Sequence, residues 1–78
     1  FYRKGIEAQR QGLAEQNEQA VAHFRKAVDA DPLFADAWGA LALSYRHLLE
    51  MRPTGEEATL AQSARSAAMR ALELDPRN

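Results

Sequence analysis

Apolar residues recur along this chain at helical rather than strand spacing. The clearest stripe is Trp38, Leu41, Ala42 and Tyr45, which occupy positions i, i+3, i+4 and i+7 of one helix face. Alanine occurs 16 times, and only five residues are β-branched, a composition that favours helix. No segment alternates apolar and polar residues for long enough to form a strand. The pattern therefore predicts an all-α chain.

Helix-breaking residues divide the first half of this pattern. Gly12 weakens the first apolar segment, and Asn17 is a candidate N-terminal cap for the second. Asp31-Pro32 marks the end of the second helix, because proline cannot continue a helix but suits the first turn of the next one.

The second half contains two further breaks. Thr54 follows Pro53 and has Glu57 three residues on, the spacing of a capping box. Asp75-Pro76 ends the last segment as Asp31-Pro32 ends the second. The predicted helices span roughly 1–12, 17–30, 33–51 and 55–74, and short connections make successive helices antiparallel neighbours.

The chain contains an internal repeat. RKAVDADP at 25–32 aligns with MRALELDP at 69–76, an offset of 44 residues. The same offset pairs Ala27 with Ala71 inside these segments and, ahead of them, Ala20 with Ala64 and Phe24 with Ala68. The first and third helices align at an offset of 37, which pairs Phe1 with Trp38, Gly5 with Ala42 and Ala8 with Tyr45. Such self-similarity is typical of repeat proteins.

Two runs of residues match a family pattern. The longer run is Trp38-x2-Leu41-Ala42-x2-Tyr45, continued by Ala64-x3-Ala68, Ala71 and Pro76; the shorter is Ala20-x3-Phe24, Ala27 and Pro32. Together they resemble the tetratricopeptide repeat (TPR) family, and look like TPR segments of bacterial multidomain regulators. The resemblance covers essentially the whole chain. It implies one domain over 1–78, with antiparallel helical hairpins stacked as an alpha-alpha superhelix: repeat one at about 1–32 and repeat two at about 33–76.

The sequence departs from the family pattern at specific positions. Ala68 stands where the pattern has a bulky aromatic residue, and Lys4 stands where it has Leu. The connection between the two helices of each unit is also longer than usual.

The resemblance also implies a binding face. In TPR proteins the first helix of each repeat lines a concave, peptide-binding surface. Carried over by register, that surface comprises Tyr2, Ile6, Gln9 and Arg10 in the first unit and Asp36, Gly39, Leu43, Arg46 and His47 in the second. Arg10 and Arg46 would pair with an acidic group, and Gly39 would open room at the groove or let a helix approach closely. The alternative is an ordinary solvated face that binds no ligand.

The structural core is predicted from small residues where helix axes approach and large residues that fill the gaps. The predicted core residues are Phe24, Ala27, Trp38, Leu41, Ala42, Tyr45, Ala64 and Ala71. The stripe spacing favours a packing role for Trp38 over a ligand pocket. Because the last helix is apolar on more than one side, we expect neighbouring repeats or a partner chain to cover it.

Charge and cysteine content exclude several classes of function. The net charge is −1, and neither half of the chain is strongly basic or acidic. Nothing therefore points to nucleic acid or to an anionic membrane as a partner. There is no Cys, which removes disulfides, thiolate catalysis and Cys-based zinc sites. The compartment stays open, with a cytoplasmic location slightly favoured.

No set of residues has the arrangement that catalysis requires. Ser44 and His47 are one helical turn apart, but nothing supplies the orienting group or the oxyanion site of a hydrolase. His23 and His47 lie on different predicted helices without further ligands. Glu56 and Glu57 are adjacent, so they point about 100° apart on a helix. We therefore predict no catalytic, cofactor-binding or metal-binding residues, and no enzyme activity.

These features predict a protein–protein interaction or scaffold module that binds a peptide or helix through the concave face. The alternative is a structural or regulatory spacer, or a self-association module, within a multidomain bacterial regulator. The expected partner is a protein or peptide, with self-association as a second option. Because the chain begins at Phe1 rather than Met, we expect it to be a fragment of a longer protein.

Overall fold

Four α-helices make up the described part of the chain. The computed structural model describes residues 2–12, 14–51 and 57–76. The helices are α1 (Tyr2–Gln11), α2 (Ala14–Ala30), α3 (Ala35–Met51) and α4 (Glu57–Leu74). The described residues form no strand, so the predicted all-α class is confirmed. Consecutive helices pack side by side, and α3 also touches α1 lightly.

The turn between α1 and α2 depends on one glycine. Gly12 has a φ of 73°, in the left-handed region, and its N–H donates to the carbonyl of Gln9 at 3.2 Å. Glycine adopts this conformation without a steric penalty, so α1 ends here. α2 then begins at Ala14, earlier than predicted. Asn17 consequently lies inside α2 and is fully buried, so its predicted role as a helix cap is wrong.

The two Asp-Pro sequences end their helices in the same way. The N–H of Asp31 donates to the carbonyl of Ala27, and the N–H of Asp75 donates to the carbonyl of Ala71, each at 2.9 Å. These residues are paired by the 44-residue offset. The internal repeat therefore has a matching backbone geometry at both helix ends.

α3 begins slightly later than the sequence pattern predicts. The carboxylate of Asp31 accepts a hydrogen bond from the N–H of Leu33 at 3.2 Å, which holds this segment in a turn and delays α3 to Ala35. α4 begins at Glu57. Thr54, the other member of the predicted capping box, lies outside the described residues.

The core lies where α1, α2 and α3 meet. Phe24 is fully buried at its centre, with α1 directly above it. A Cβ atom on Gly5 would lie 2.6 Å from Cδ1 and 2.8 Å from Cζ of Phe24, so only glycine allows this approach. Six of the predicted core residues are buried: Phe24, Ala27, Leu41, Ala42, Ala64 and Ala71. Trp38 and Tyr45 are half-buried and pack against the core from its edge.

Candidate functional site

Most of the α1 residues predicted to line a concave face make contacts within the fold. Tyr2 is half-buried, and its ring centroid lies 4.8 Å from that of Phe34 and 5.8 Å from that of Phe24. Ile6 is also half-buried against the core. Arg10 is exposed. The apolar residues of this set therefore serve mainly to hold α1 in place.

Gln9 connects α1 to α3 through its side-chain amide. Nε2 donates to Oγ of Ser44 at 2.9 Å and to the carbonyl of Ala40 at 3.2 Å. Ser44 is fully buried. Its hydroxyl therefore has a structural partner on α1, a role that the sequence pattern did not indicate. The pair is separated by 35 residues, so no local signal could have found it.

The α3 residues of the predicted face divide into two groups. Asp36 and Arg46 are exposed, and Leu43 has a relative exposure of 41%. Gly39 and His47 are half-buried. The Nδ1 atom of His47 is buried and has no hydrogen-bond partner in the described part of the chain.

An open apolar groove runs between α3 and α4. It consists of two adjoining cavities of about 330 and 250 Å³, and both are lined by Ala42 and Ala68. The first cavity is completed by Gly39, Ala71 and Leu72, and the second by Arg46, Leu49, Ala61, Ala64 and Arg65. We call this surface the α3–α4 groove. It shares Gly39 and Arg46 with the predicted concave face.

Gly39 contributes open space to this groove. A Cβ atom at Gly39 would meet only the Cβ of Ala71, at 4.0 Å, which is an ordinary contact distance. The approach of α4 to α3 therefore does not require a glycine here. Of the two roles proposed for Gly39, widening of the groove fits the geometry.

One end of the α3–α4 groove is basic. Arg46 of α3 and Arg65 of α4 line the same cavity, and both are exposed. Within the described ranges, neither guanidinium forms a salt bridge with an acidic side chain. The groove thus combines an apolar floor with two positive charges at its edge.

The first hairpin consists of α1 and α2, and the second consists of α3 and α4. The surface of the first hairpin that corresponds to the groove is covered by α3. The offsets of the internal repeat place Ala42, Ala64, Ala68 and Ala71 on Gly5, Ala20, Phe24 and Ala27. All four residues of the first hairpin are buried, and α3 packs beside them through Ala37 and Leu41. In the second hairpin Ala42, Ala64 and Ala71 are also buried, but Ala68 is only half-buried and borders the groove. Among the described helices α4 contacts only α3, so no further helix covers this surface as α3 covers the first hairpin.

A second concave surface lies on the other side of α3. A cleft of about 390 Å³ separates α2 from α4, with Trp38, Leu41 and Tyr45 along its floor. Its walls are mostly polar and include Arg25, Asp29, Gln62, Ser63 and Ser66. The indole Nε1 of Trp38 donates to the carbonyl of Pro32 at 2.9 Å, which fixes the ring. Trp38 thus supports the start of α3 and also forms part of this open cleft.

Other kinds of site find no support in the described residues. These ranges contain no group of three His, Asp or Glu side chains placed to hold a metal ion. No helix among them has the length and apolarity that a membrane span needs. Comparison with family models, curated proteins and solved structures finds no match to this chain.

Proposed function

We propose that this chain is a TPR-like protein-interaction module that binds a helix or peptide of another protein and has no catalytic role. The α3–α4 groove is the observation that carries this proposal. It is open, its floor is alanine, and its two cavities adjoin one another. Small residues let another backbone approach closely, so the groove suits an amphipathic helix laid along it.

The proposed binding surface is shifted from the concave face towards α4. Tyr2, Ile6 and Gln9 are engaged in holding α1 against the rest of the fold. Arg46 and Gly39, in contrast, border open space. A partner would therefore contact mainly α3 and α4, with Leu43 at the margin.

A second candidate function is self-association or a spacer role between other domains. The observation in its favour is a pair of exposed apolar residues on α4: Met69 is 63% exposed, and Leu72, which also lines the groove, is 51% exposed. Exposed apolar residues of this size, close together on one helix, are typical of interaction surfaces. A second copy of the chain is one way to cover them.

The proposal is tested by titrating the 15N-labelled chain with a synthetic amphipathic helical peptide that carries Leu at i, i+3, i+4 and i+7. We expect NMR shift changes at Gly39, Ala42, Ala68 and Ala71, and weaker binding by the variant Leu43→Ala/Arg46→Ala. The matched control is Arg25→Ala, on the opposite side of α3. Absence of binding, or shifts confined to the α2–α4 cleft, would refute the proposal.

Sedimentation of the free chain tests the second candidate function. A concentration-dependent dimer that disappears in Leu72→Glu would favour self-association. A monomer at all concentrations would count against self-association and leave the peptide titration to decide.

A further inference from the structure

We propose that the partner helix in the α3–α4 groove is acidic and inserts one aromatic side chain beside Ala68. The inference rests on the proposed function and names the chemistry of its ligand. It follows from the difference between the two hairpins of the repeat and from the position of two arginines.

In the first hairpin an aromatic side chain of the chain itself lies between the two helices. The second hairpin has no aromatic side chain at the equivalent position. Phe24 is fully buried, and its ring lies directly against Gly5. The 44-residue offset places Ala68 at the position of Phe24, and the 37-residue offset places Ala42 at the position of Gly5. Both adjoining cavities of the groove are lined by Ala42 and Ala68. The middle of the groove is therefore open beside Ala42 and Ala68. Because Ala42 has the Cβ that Gly5 lacks, an incoming ring would lie over both alanines rather than in the exact place of the Phe24 ring.

The two arginines determine where the partner's charge must lie. Arg46 follows Ala42 by four residues, and Arg65 precedes Ala68 by three. Each guanidinium is thus one helical turn from the gap, and both line the same cavity. Carboxylates pair with guanidinium groups through two parallel hydrogen bonds. A complementary helix would carry Asp or Glu about one turn from its aromatic residue.

The charge of α1 argues against a head-to-tail arrangement of identical chains. In such an arrangement the α1 helix of a second copy would enter the groove, as α3 lies on the first hairpin. The exposed charged residues of α1 are Arg3, Lys4, Glu7 and Arg10, so it is net basic. It would bring like charge to Arg46 and Arg65. We therefore assign the occupant to a partner with an acidic helix rather than to a second copy of this chain.

Three synthetic helical peptides of equal length test the inference. The first has a Leu stripe with one central Phe and a Glu four residues from it. The second replaces that Phe by Ala, and the third replaces that Glu by Lys. By fluorescence anisotropy, we expect the chain to bind the second peptide about tenfold or more weakly than the first, as burial of a Phe side chain implies. The third peptide should bind about two- to fivefold more weakly, because the charge pairs are exposed.

Variants of the protein should reverse these preferences. Ala68→Phe fills the gap from within, so this variant should bind the Ala peptide more tightly than the Phe peptide. Arg46→Glu/Arg65→Glu should favour the Lys peptide over the Glu peptide. Arg3→Glu, on the exposed side of α1, is the matched control and should leave all three affinities unchanged. Circular dichroism of each variant checks that the helices are intact.

The outcomes separate this inference from the proposed function. Equal binding of all three peptides in the groove would overturn the inference and leave the interaction module standing. If none of the three peptides binds, both the inference and the proposed function are refuted. The comparison of the peptides uses the unaltered chain, so it does not depend on how the variants fold. A dimer that excludes the peptides would identify a second copy as the occupant and overturn the assignment to a partner with an acidic helix.

Discussion

Two glycines on equivalent faces of the fold should respond in opposite ways to the same substitution. Gly5 lies in α1 against the ring of Phe24, and Gly39 lies in α3 beside open space. Each is inside a helix, so replacement by Ala gains the same intrinsic helix propensity, about 0.8–1.0 kcal/mol. The difference between the two variants therefore measures the packing term alone.

The distances predict the size of that term. At Gly39 the new methyl group would meet Ala71 at 4.0 Å and need no adjustment, so Gly39→Ala should stabilise the fold by about 1 kcal/mol. At Gly5 the methyl group would lie 2.6 Å from Cδ1 of Phe24, so the fully buried ring would have to shift. Overpacking of this kind costs about 1–3 kcal/mol. We therefore expect Gly5→Ala to be less stable than Gly39→Ala by about 1–3 kcal/mol.

Urea unfolding followed by circular dichroism measures both free energies of unfolding. The double variant Gly5→Ala/Phe24→Leu provides a further control. Because a smaller side chain at position 24 relieves the overlap, the double variant should lose less free energy of unfolding than the two single variants lose in sum. If Gly5→Ala proved as stable as Gly39→Ala, the close contact between α1 and Phe24 would be wrong. If Gly39→Ala were destabilising, the groove would not be open at that position.

Three further predictions concern single contacts. Gln9→Ala should lower the free energy of unfolding by about 1–2 kcal/mol, because it leaves the buried hydroxyl of Ser44 unpaired. A double-mutant cycle with Ser44→Ala measures the interaction energy of the pair, and a value near zero would contradict the contact. Trp38→Phe removes the exposed hydrogen bond to Pro32 and shortens a half-buried ring at the edge of the core, so it should cost about 0.5–1.5 kcal/mol. Thermal unfolding checks this, and a loss several times larger would mean that the ring is deeper in the core. Phe24→Ala should cost about 3–5 kcal/mol, a large share of the stability of so small a fold, and loss of the cooperative urea transition is the expected result; a transition close to that of the unaltered chain would show that Phe24 does not centre the core.

The sequence predicted the local structure well and the inter-helix contacts poorly. Proline acts on the backbone at its own position, so Asp31-Pro32 correctly marked the end of α2. Gly12 was predicted only to weaken the first apolar segment, but its left-handed conformation ends α1. α2 then begins at Ala14, and Asn17 is buried inside α2. The error at Asn17 arose because a polar residue near a helix start has the same local signature whether it caps the helix or lies inside it.

The candidate site shows the same division. Arg46 and Gly39, which the resemblance placed on one face of α3, border open space in the structure. Helical periodicity determines which side chains of a helix share a face. In the structure Gln9 is bound to Ser44, and Tyr2 packs on Phe34. The partners in each pair are more than 30 positions apart in the sequence. Periodicity carries no information about such distant partners.

By itself the sequence determined the helical class, the four segments and the internal repeat, since propensity, proline geometry and self-similarity are local or purely sequential properties. Only the tertiary structure decided which faces remain open. Phe24 and Ala68 are equivalent in the repeat, yet one is buried at the centre of the core and the other borders an apolar groove. The physical reason is that burial depends on what lies above a residue: α3 covers the first hairpin, and the corresponding surface of the second lies between α3 and α4 as an open groove.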